Sequence, residues 1–309
     1  MSPFLLRLQA TGRPPGPPGV TISVRHPLPW CDGSRIMYET YYELSSTPFN
    51  ITPDPRYLYF SHQHREAFEH ILFGIQQRKG FVQITGEVGA GKSTICRAVL
   101  AVLEQSPEEY ATALILNPVL TGTQLLRSIL RELDLDDRGN DRVRLLQRLN
   151  EFLLERAHAD DCVVLILDEA QDLSDELLEE VRLLSNLETE DRKLLQIVLV
   201  GQPELRRKLD APRLRQLRQR ITVRYHLGPI GRAETEDYIL HRLTVAGSRG
   251  RPTFSRAALW AIFRYSRGVP RLINTVCDKA LLAGYVEGRD HLGWKQVRRG
   301  IRELEGDGR

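Results

Sequence analysis

The stretch that most constrains this chain is Gly86-Glu87-Val88-Gly89-Ala90-Gly91-Lys92-Ser93. It fits G-x-x-x-x-G-K-[ST] and follows the apolar run Phe81-Val82-Gln83-Ile84-Thr85. It leads, from Thr94 to Leu103, into a segment that reads as a helix. Strand, glycine loop and helix in that order make a phosphate cradle. Glycines let backbone N–H groups turn toward an anion, and the helix N-terminus adds its partial positive charge. Lys92 is expected to reach the β- and γ-phosphates of a nucleotide, and the Ser93 hydroxyl to sit on Mg²⁺.

A glycine loop of this kind needs a parallel sheet behind it, and the rest of the chain supplies the pattern for one. Apolar runs at residues 111–116, 162–167 and 194–200, with a weaker fifth at 221–227, alternate with helical periodicity at 121–133, 142–154 and 177–187. Cys162 to Leu167 is unbroken apolar, as a strand covered on both faces must be. From Arg65 a helix carries Phe68, Ile71, Leu72 and Ile75 on one face. Before it, Tyr38 to Tyr59 is aromatic and broken by prolines, which favours extended, turned backbone. After Gly231 the period changes: four helices and no strand are expected, at residues 233–245, 255–265, 271–286 and 293–304. The domains expected are therefore a nucleotide-binding core over residues 37–230 and a helical domain over 231–309.

Residues 1–36 differ from the rest. Arg13-Pro14-Pro15-Gly16-Pro17-Pro18-Gly19 can form neither helix nor central strand, and the chain has two methionines, Met1 and Met37. The leader reads as a disordered tail or as the product of a start codon called too early. Net charge is +3, so overall charge demands no nucleic-acid partner. Cys31, Cys96, Cys162 and Cys277 lie far apart without metal-ligand spacing, and nothing approaches the length of a membrane span. A cytoplasmic protein is expected, peripheral at most to the inner membrane.

The chemistry gathers at strand ends. Asp168 and Glu169 follow a buried strand, where an unpaired carboxylate would cost several kcal/mol (about 3–5). Beside a Mg²⁺–phosphate site Asp168 has a task as metal holder, and Glu169 can orient or deprotonate the attacking water. Gln202 ends the next strand, in Gly201-Gln202-Pro203-Glu204-Leu205, and faces the same crevice. The basic run from Arg213 to Arg220 suits a charged finger donated across a subunit boundary, with Arg218 and Arg220 the candidates. Arg271 opens a helix after Gly268-Val269-Pro270, where a cation opposes the macrodipole unless a phosphate answers it.

Taken together these motifs resemble the AAA+ ATPases, and within them the ExeA or general-secretion-pathway protein A group. The resemblance runs from Met37 to about Leu304 and rests on Pro48-Phe49, Pro53-Asp54-Pro55, Ser61 with His64-Arg65-Glu66-Ala67, the loop from Gly86 to Thr94, Asp168-Glu169-Ala170-Gln171, Gly201 to Leu205, Gln219-Arg220-Ile221 and Gly268-x-Pro270-Arg271-x-x-Asn274. It implies ATP and Mg²⁺ as ligands, Lys92 and Ser93 as Walker A, Asp168 and Glu169 as Walker B, Gln202 as sensor 1, Arg271 as sensor 2 and Arg220 as the arginine finger. It implies an α/β fold with a five-stranded parallel sheet of order 5-1-4-3-2 and a helical lid. Secretion-type members often continue into a membrane anchor and a peptidoglycan-binding domain, and this chain reads as a short form. The group implies a homo-oligomer, ring or filament, that couples ATP state to assembly of a secretion, pilus or exopolysaccharide system. The alternative is an ATP-gated DNA-binding regulator of the transposition type, with Arg206-Arg207-Lys208 and Arg213 to Arg224 lining a channel.

Overall fold

The strands at residues 81–86, 162–167 and 195–201 are buried along their whole length, and the sheet is accordingly sandwiched between two layers of helices. A computed structural model describes residues 37–306 apart from 53, 107–108, 117–119, 140 and 189–191. The leader expected over residues 1–36 lies outside the described residues, as do Cys31 and Pro53. In chain order the elements are α1 (Met37–Tyr42), α2 (His62–Gln76), β1 (Phe81–Gly86), α3 (Lys92–Leu103), β2 (Tyr110–Ile115), α4 (Gly122–Glu132) and α5 (Arg142–His158). Then come β3 (Cys162–Leu167), α6 (Asp175–Leu184), β4 (Leu195–Gly201), α7 (Pro203–Leu209), α8 (Arg215–Arg220) and β5 (Ile221–Leu227). The last part holds α9 (Arg232–Val245), β6 (Thr253–Phe254), α10 (Arg256–Ser266), α11 (Pro270–Val286), β7 (His291–Leu292) and α12 (Trp294–Leu304).

The five-stranded sheet is parallel throughout and runs β2-β3-β4-β1-β5, the expected order read from the other edge. Alternate residues of each strand enter opposite cores, because successive side chains point to opposite faces. Val163, Leu165 and Leu167 of β3 pack with α4, α5 and α6, while Val164 and Ile166 pack with Ile71 of α2 and Ile95 of α3. β5 is an edge strand with alternating burial, which is why its sequence reads as the weakest of the five.

Two details depart from the sequence reading. Residues 37–42 are helical rather than extended, and a two-residue parallel pair, β6 with β7, lies among the C-terminal helices. Two residues are too few to show a period of two. The N-terminal segment also has an unforeseen place. Tyr38, Tyr42, Phe49 and Tyr57 are buried with Tyr238, Ile239, Ile273 and Leu281 of the C-terminal helices. Tyr42 donates its hydroxyl proton to the carbonyls of Leu281 and Arg289, at 3.2 and 3.1 Å. Residues 38–57 and the C-terminal helices thus build one core. Cys96, Cys162 and Cys277 are free thiols in buried positions. No described helix is long and apolar enough to cross a membrane.

Candidate active site

In a parallel sheet the carboxyl ends of all strands open on one edge, and here β4 lies between β1 and β3. The glycine loop after β1, the acidic pair after β3 and Gln202 after β4 therefore meet at one crevice. The loop is shaped by two left-handed glycines, Gly89 (φ 77°) and Gly91 (φ 99°). Both also lack room for a side chain: a Cβ on Gly89 would come within 2.4 Å of the Arg271 Cβ, and one on Gly91 within 2.7 Å of the His64 Nε2. Gly91 is the N-cap of α3 and supplies no side-chain acceptor, so the Lys92 and Ser93 N–H groups stay available to an anion.

Lys92 is 6% exposed and curls back, donating to the carbonyls of Gly86 (2.8 Å) and Glu87 (3.1 Å). Burial pushes its ammonium below the ordinary lysine value, against the pull of Glu169 and Asp168. Ser93 donates to Asp168 Oδ2 at 2.6 Å, and Asp168 is 3% exposed. Its other oxygen accepts the Glu169 backbone N–H at 2.9 Å. Glu169 itself adopts a left-handed backbone (φ 53°), uncommon for such a residue. Its Oε2 accepts from Gln171 Nε2 at 2.8 Å and from Gln202 Nε2 at 3.3 Å. The loop lysine, serine, acidic pair and Gln202 are thus brought together as expected. Arg271 joins them from α11: its backbone N–H donates to Gly89 O at 3.2 Å, while its exposed guanidinium holds no partner among the described residues.

Arg218 and Arg220 are not brought to this crevice. They end α8 just before β5, whose first residue Ile221 pairs with Phe81 at the start of β1. The length of β1 then separates them from the loop, roughly 17 Å at the usual rise per residue. Arg218 is tied to Asp210 at 3.2 Å. Arg220 instead donates to the Ser185 hydroxyl (2.7 Å) and the Arg182 carbonyl (3.4 Å), neutral acceptors that leave its charge uncompensated.

The far wall of the crevice was not legible as a site in the sequence. It combines Asn50, Ile51, Asp54, Tyr57 and Tyr59, His64 and, from α9 and α11, Tyr238, Arg242 and Asn274. Arg242, 7% exposed, lies over the Tyr57 ring at 4.7 Å and donates to Pro48 O, to Asn50 O at 3.2 Å and to the Tyr238 hydroxyl at 3.0 Å. Tyr238 in turn donates to Asn274 Oδ1 at 2.8 Å. An arginine between Ile239 and Leu243 on the apolar face of α9 was the available signal.

His64 braces the loop from behind. Its Nε2 lies 2.9 Å from Ala90 O, which can only accept, so Nε2 carries the proton and Nδ1 accepts from Ser61 Oγ at 2.6 Å. Burial holds the imidazole below its ordinary 6.5, with the Ala90 carbonyl and Glu234 pulling the other way. The unfolded chain then takes up this proton more readily than the folded one. The contribution to stability is full above about pH 6.5 and is lost as pH falls through the folded value. We predict that acidification from about pH 7 to about pH 5 lowers Tm less steeply in His64→Gln than in the parent. Identical slopes by differential scanning calorimetry would contradict this.

A parallel sheet of this order, a glycine loop with its lysine and serine, an acidic pair and a helical C-terminal region define a P-loop ATPase of the AAA+ class. Residues 75–209 match the AAA domain family. The chain is 46% identical over 253 residues to general secretion pathway protein A of Aeromonas hydrophila, covering 82% of this chain and 46% of that protein. Among solved structures it is similar to Drosophila ORC bound to DNA (17% identity, TM-score 0.66, 93% of this chain and 70% of that one). It is also similar to Aeropyrum pernix ORC2 (18%, 0.62, 83% and 70%) and to the Thermotoga maritima RuvB Holliday junction branch migration motor (18%, 0.53, 79% and 70%). These three share the fold. The chain is an AAA+ ATPase like general secretion pathway protein A, and it spans about half the length of that relative.

Proposed function

We propose that this chain is a Mg²⁺-dependent ATP hydrolase, completed between protomers of a homo-oligomer, that couples nucleotide state to assembly of an envelope secretion system. The Ser93–Asp168 hydrogen bond of 2.6 Å beside the Glu169 carboxylate carries the reading. Asp168 is buried, yet among the described residues the hydrogen bonds to its side chain come from a hydroxyl and a backbone N–H. That hard-oxygen pair fits Mg²⁺, which keeps few protein ligands and takes the rest from phosphates and water. Among the described residues no group of three or more His, Cys, Asp or Glu side chains is arranged to hold a metal without such help. Ser93 and Asp168 would hold the ion, which would supply positive charge to offset that developing on the transferred phosphate.

The side chains supply the rest by position. Lys92 exchanges the Gly86 and Glu87 carbonyls for the β- and γ-phosphates, and the unpaired Arg271 guanidinium closes on the same group from the lid. Glu169 orients the attacking water through the oxygen that Gln171 and Gln202 leave free and takes its proton. Arg220 of one protomer reaches the site of the next, where its permanent charge meets the transferred phosphoryl group. The secretion role rests on the Aeromonas relative and extends to related pilus or exopolysaccharide systems, served from the cytoplasmic side of the membrane.

A DNA-binding regulator is less well supported, because much of the basic run is already engaged. Arg207 pairs with Glu204, Arg213 with Asp175 and Arg218 with Asp210, while Lys208 donates to the Gln171 and Leu173 carbonyls.

Turnover per protomer is expected to rise with protein concentration as sedimentation shows monomers becoming oligomers. It should vanish with EDTA and return with Mg²⁺. A rate per protomer that stays flat through that transition would remove the composite site, and activity in EDTA would remove the metal.

A further inference from the structure

Gln171 belongs to none of the roles above, although it touches two of the residues that fill them. It lies in the short turn after β3, its side chain partly buried between Glu169 and the end of β4. The Gln202 backbone N–H, which can only donate, points at its side-chain oxygen at 2.9 Å. That contact fixes the carboxamide the one way round, with Nε2 toward Glu169 Oε2 at 2.8 Å and toward Asp172 Oδ2 at 3.2 Å. The neighbouring structure admits no other arrangement cheaply. A Cβ on Gly201 would come within 2.8 Å of Gln171 Oε1, and Lys208 Nζ holds the Gln171 carbonyl at 3.0 Å.

We propose that Gln171 is a positioning residue for hydrolysis: its carboxamide, set by the Gln202 N–H, fixes the Glu169 carboxylate so that one oxygen stays free for the attacking water. The proposal rests on the reading of Glu169 as the group that orients that water. Gln171 also joins the acidic turn to the turn carrying Gln202, so a phosphate that moves one moves the other. Its shape cannot be kept while its chemistry is changed in only one place, except by glutamate. Gln171→Glu keeps the oxygen that accepts from Gln202 and sets a second carboxylate oxygen against Glu169 where the N–H had been.

The test compares Gln171→Glu and Gln171→Ala with the parent in full-length protein, reading Tm, affinity for a fluorescent ATP analogue, KM and kcat. Both variants are expected to keep Tm within about 5 °C and nucleotide affinity within about twofold while kcat falls by about 10- to 100-fold, the scale of a misaligned reacting group. Gln171→Glu is expected to be the slower. In single-turnover hydrolysis, adding Gln171→Glu to Glu169→Gln is expected to cost nothing more, since the group being positioned is already disabled. An unchanged kcat in either variant, or an equal loss with and without Glu169, overturns the proposal. Should Glu169→Gln alone hydrolyse ATP at the parent rate, the reading beneath it fails instead, and the two failures are told apart by that single mutant.

Discussion

ATP turnover by the Glu169→Gln protein is expected to fall by about 10²- to 10⁴-fold, the usual contribution of a positioned general base. Nucleotide affinity should hardly change. Lys92, Ser93, Asp168 and Arg271 are untouched, and a glutamine at position 169 still offers an oxygen to Gln171 and Gln202. What it lacks is a site for the proton of the attacking water. Single-turnover hydrolysis and calorimetric titration with ATP separate the two quantities. Loss of binding together with turnover would assign Glu169 to holding the nucleotide rather than to the chemistry. The same protein held in its ATP-bound form is the reagent for finding what the oligomer assembles with. Duplex DNA is one ligand to include, and binding that requires ATP and survives physiological salt would reverse the preference stated above.

The larger loss is expected at Arg220. Arg220→Ala should reduce turnover by about 10³- to 10⁵-fold, as removal of a phosphate-directed finger does in other nucleotide hydrolases. Its own crevice lies a strand's length away, so this effect must come from a neighbour. Mixing supplies the decisive measurement. Arg220→Ala protein keeps an intact loop, and Lys92→Ala protein keeps an intact Arg220, so two inactive samples should recover part of the activity when combined. No recovery, with mixed oligomers shown to form, would make Arg220 a residue of its own protomer. An unchanged rate in Arg220→Ala alone would end the finger reading. The Arg218 ion pair with Asp210 predicts a smaller effect there, because its charge is already answered.

Arg220 also shows why two neighbouring candidates could not be ranked from the run of residues 213–220 alone. Both are arginines near the end of one short helix, and nothing in their spacing reveals that one faces a carboxylate and the other a hydroxyl. Only the packing of α8 against the ends of α7 and α6 decides that. The wall formed by Arg242, Tyr238 and Asn274 is a similar case. Its members come from two helices and touch carbonyls nearly two hundred positions earlier in the chain.

The sequence by itself determined the strands, most helices, the phosphate loop and the acidic pair. Each of these is a local demand. A left-handed turn with no room for a side chain requires glycine, a strand covered on both faces requires an unbroken apolar run, and a carboxylate at its end requires a reason to be there. The tertiary structure decided the rest. It placed the aromatic N-terminal segment in the core of the C-terminal helices, gave His64 the loop to brace, and put Gln171 between Glu169 and Gln202. Except for the step from Gln171 to Glu169, those contacts join residues well apart in sequence. Their energies depend on which surfaces the closed sheet leaves facing each other, and no local period or spacing carries that information.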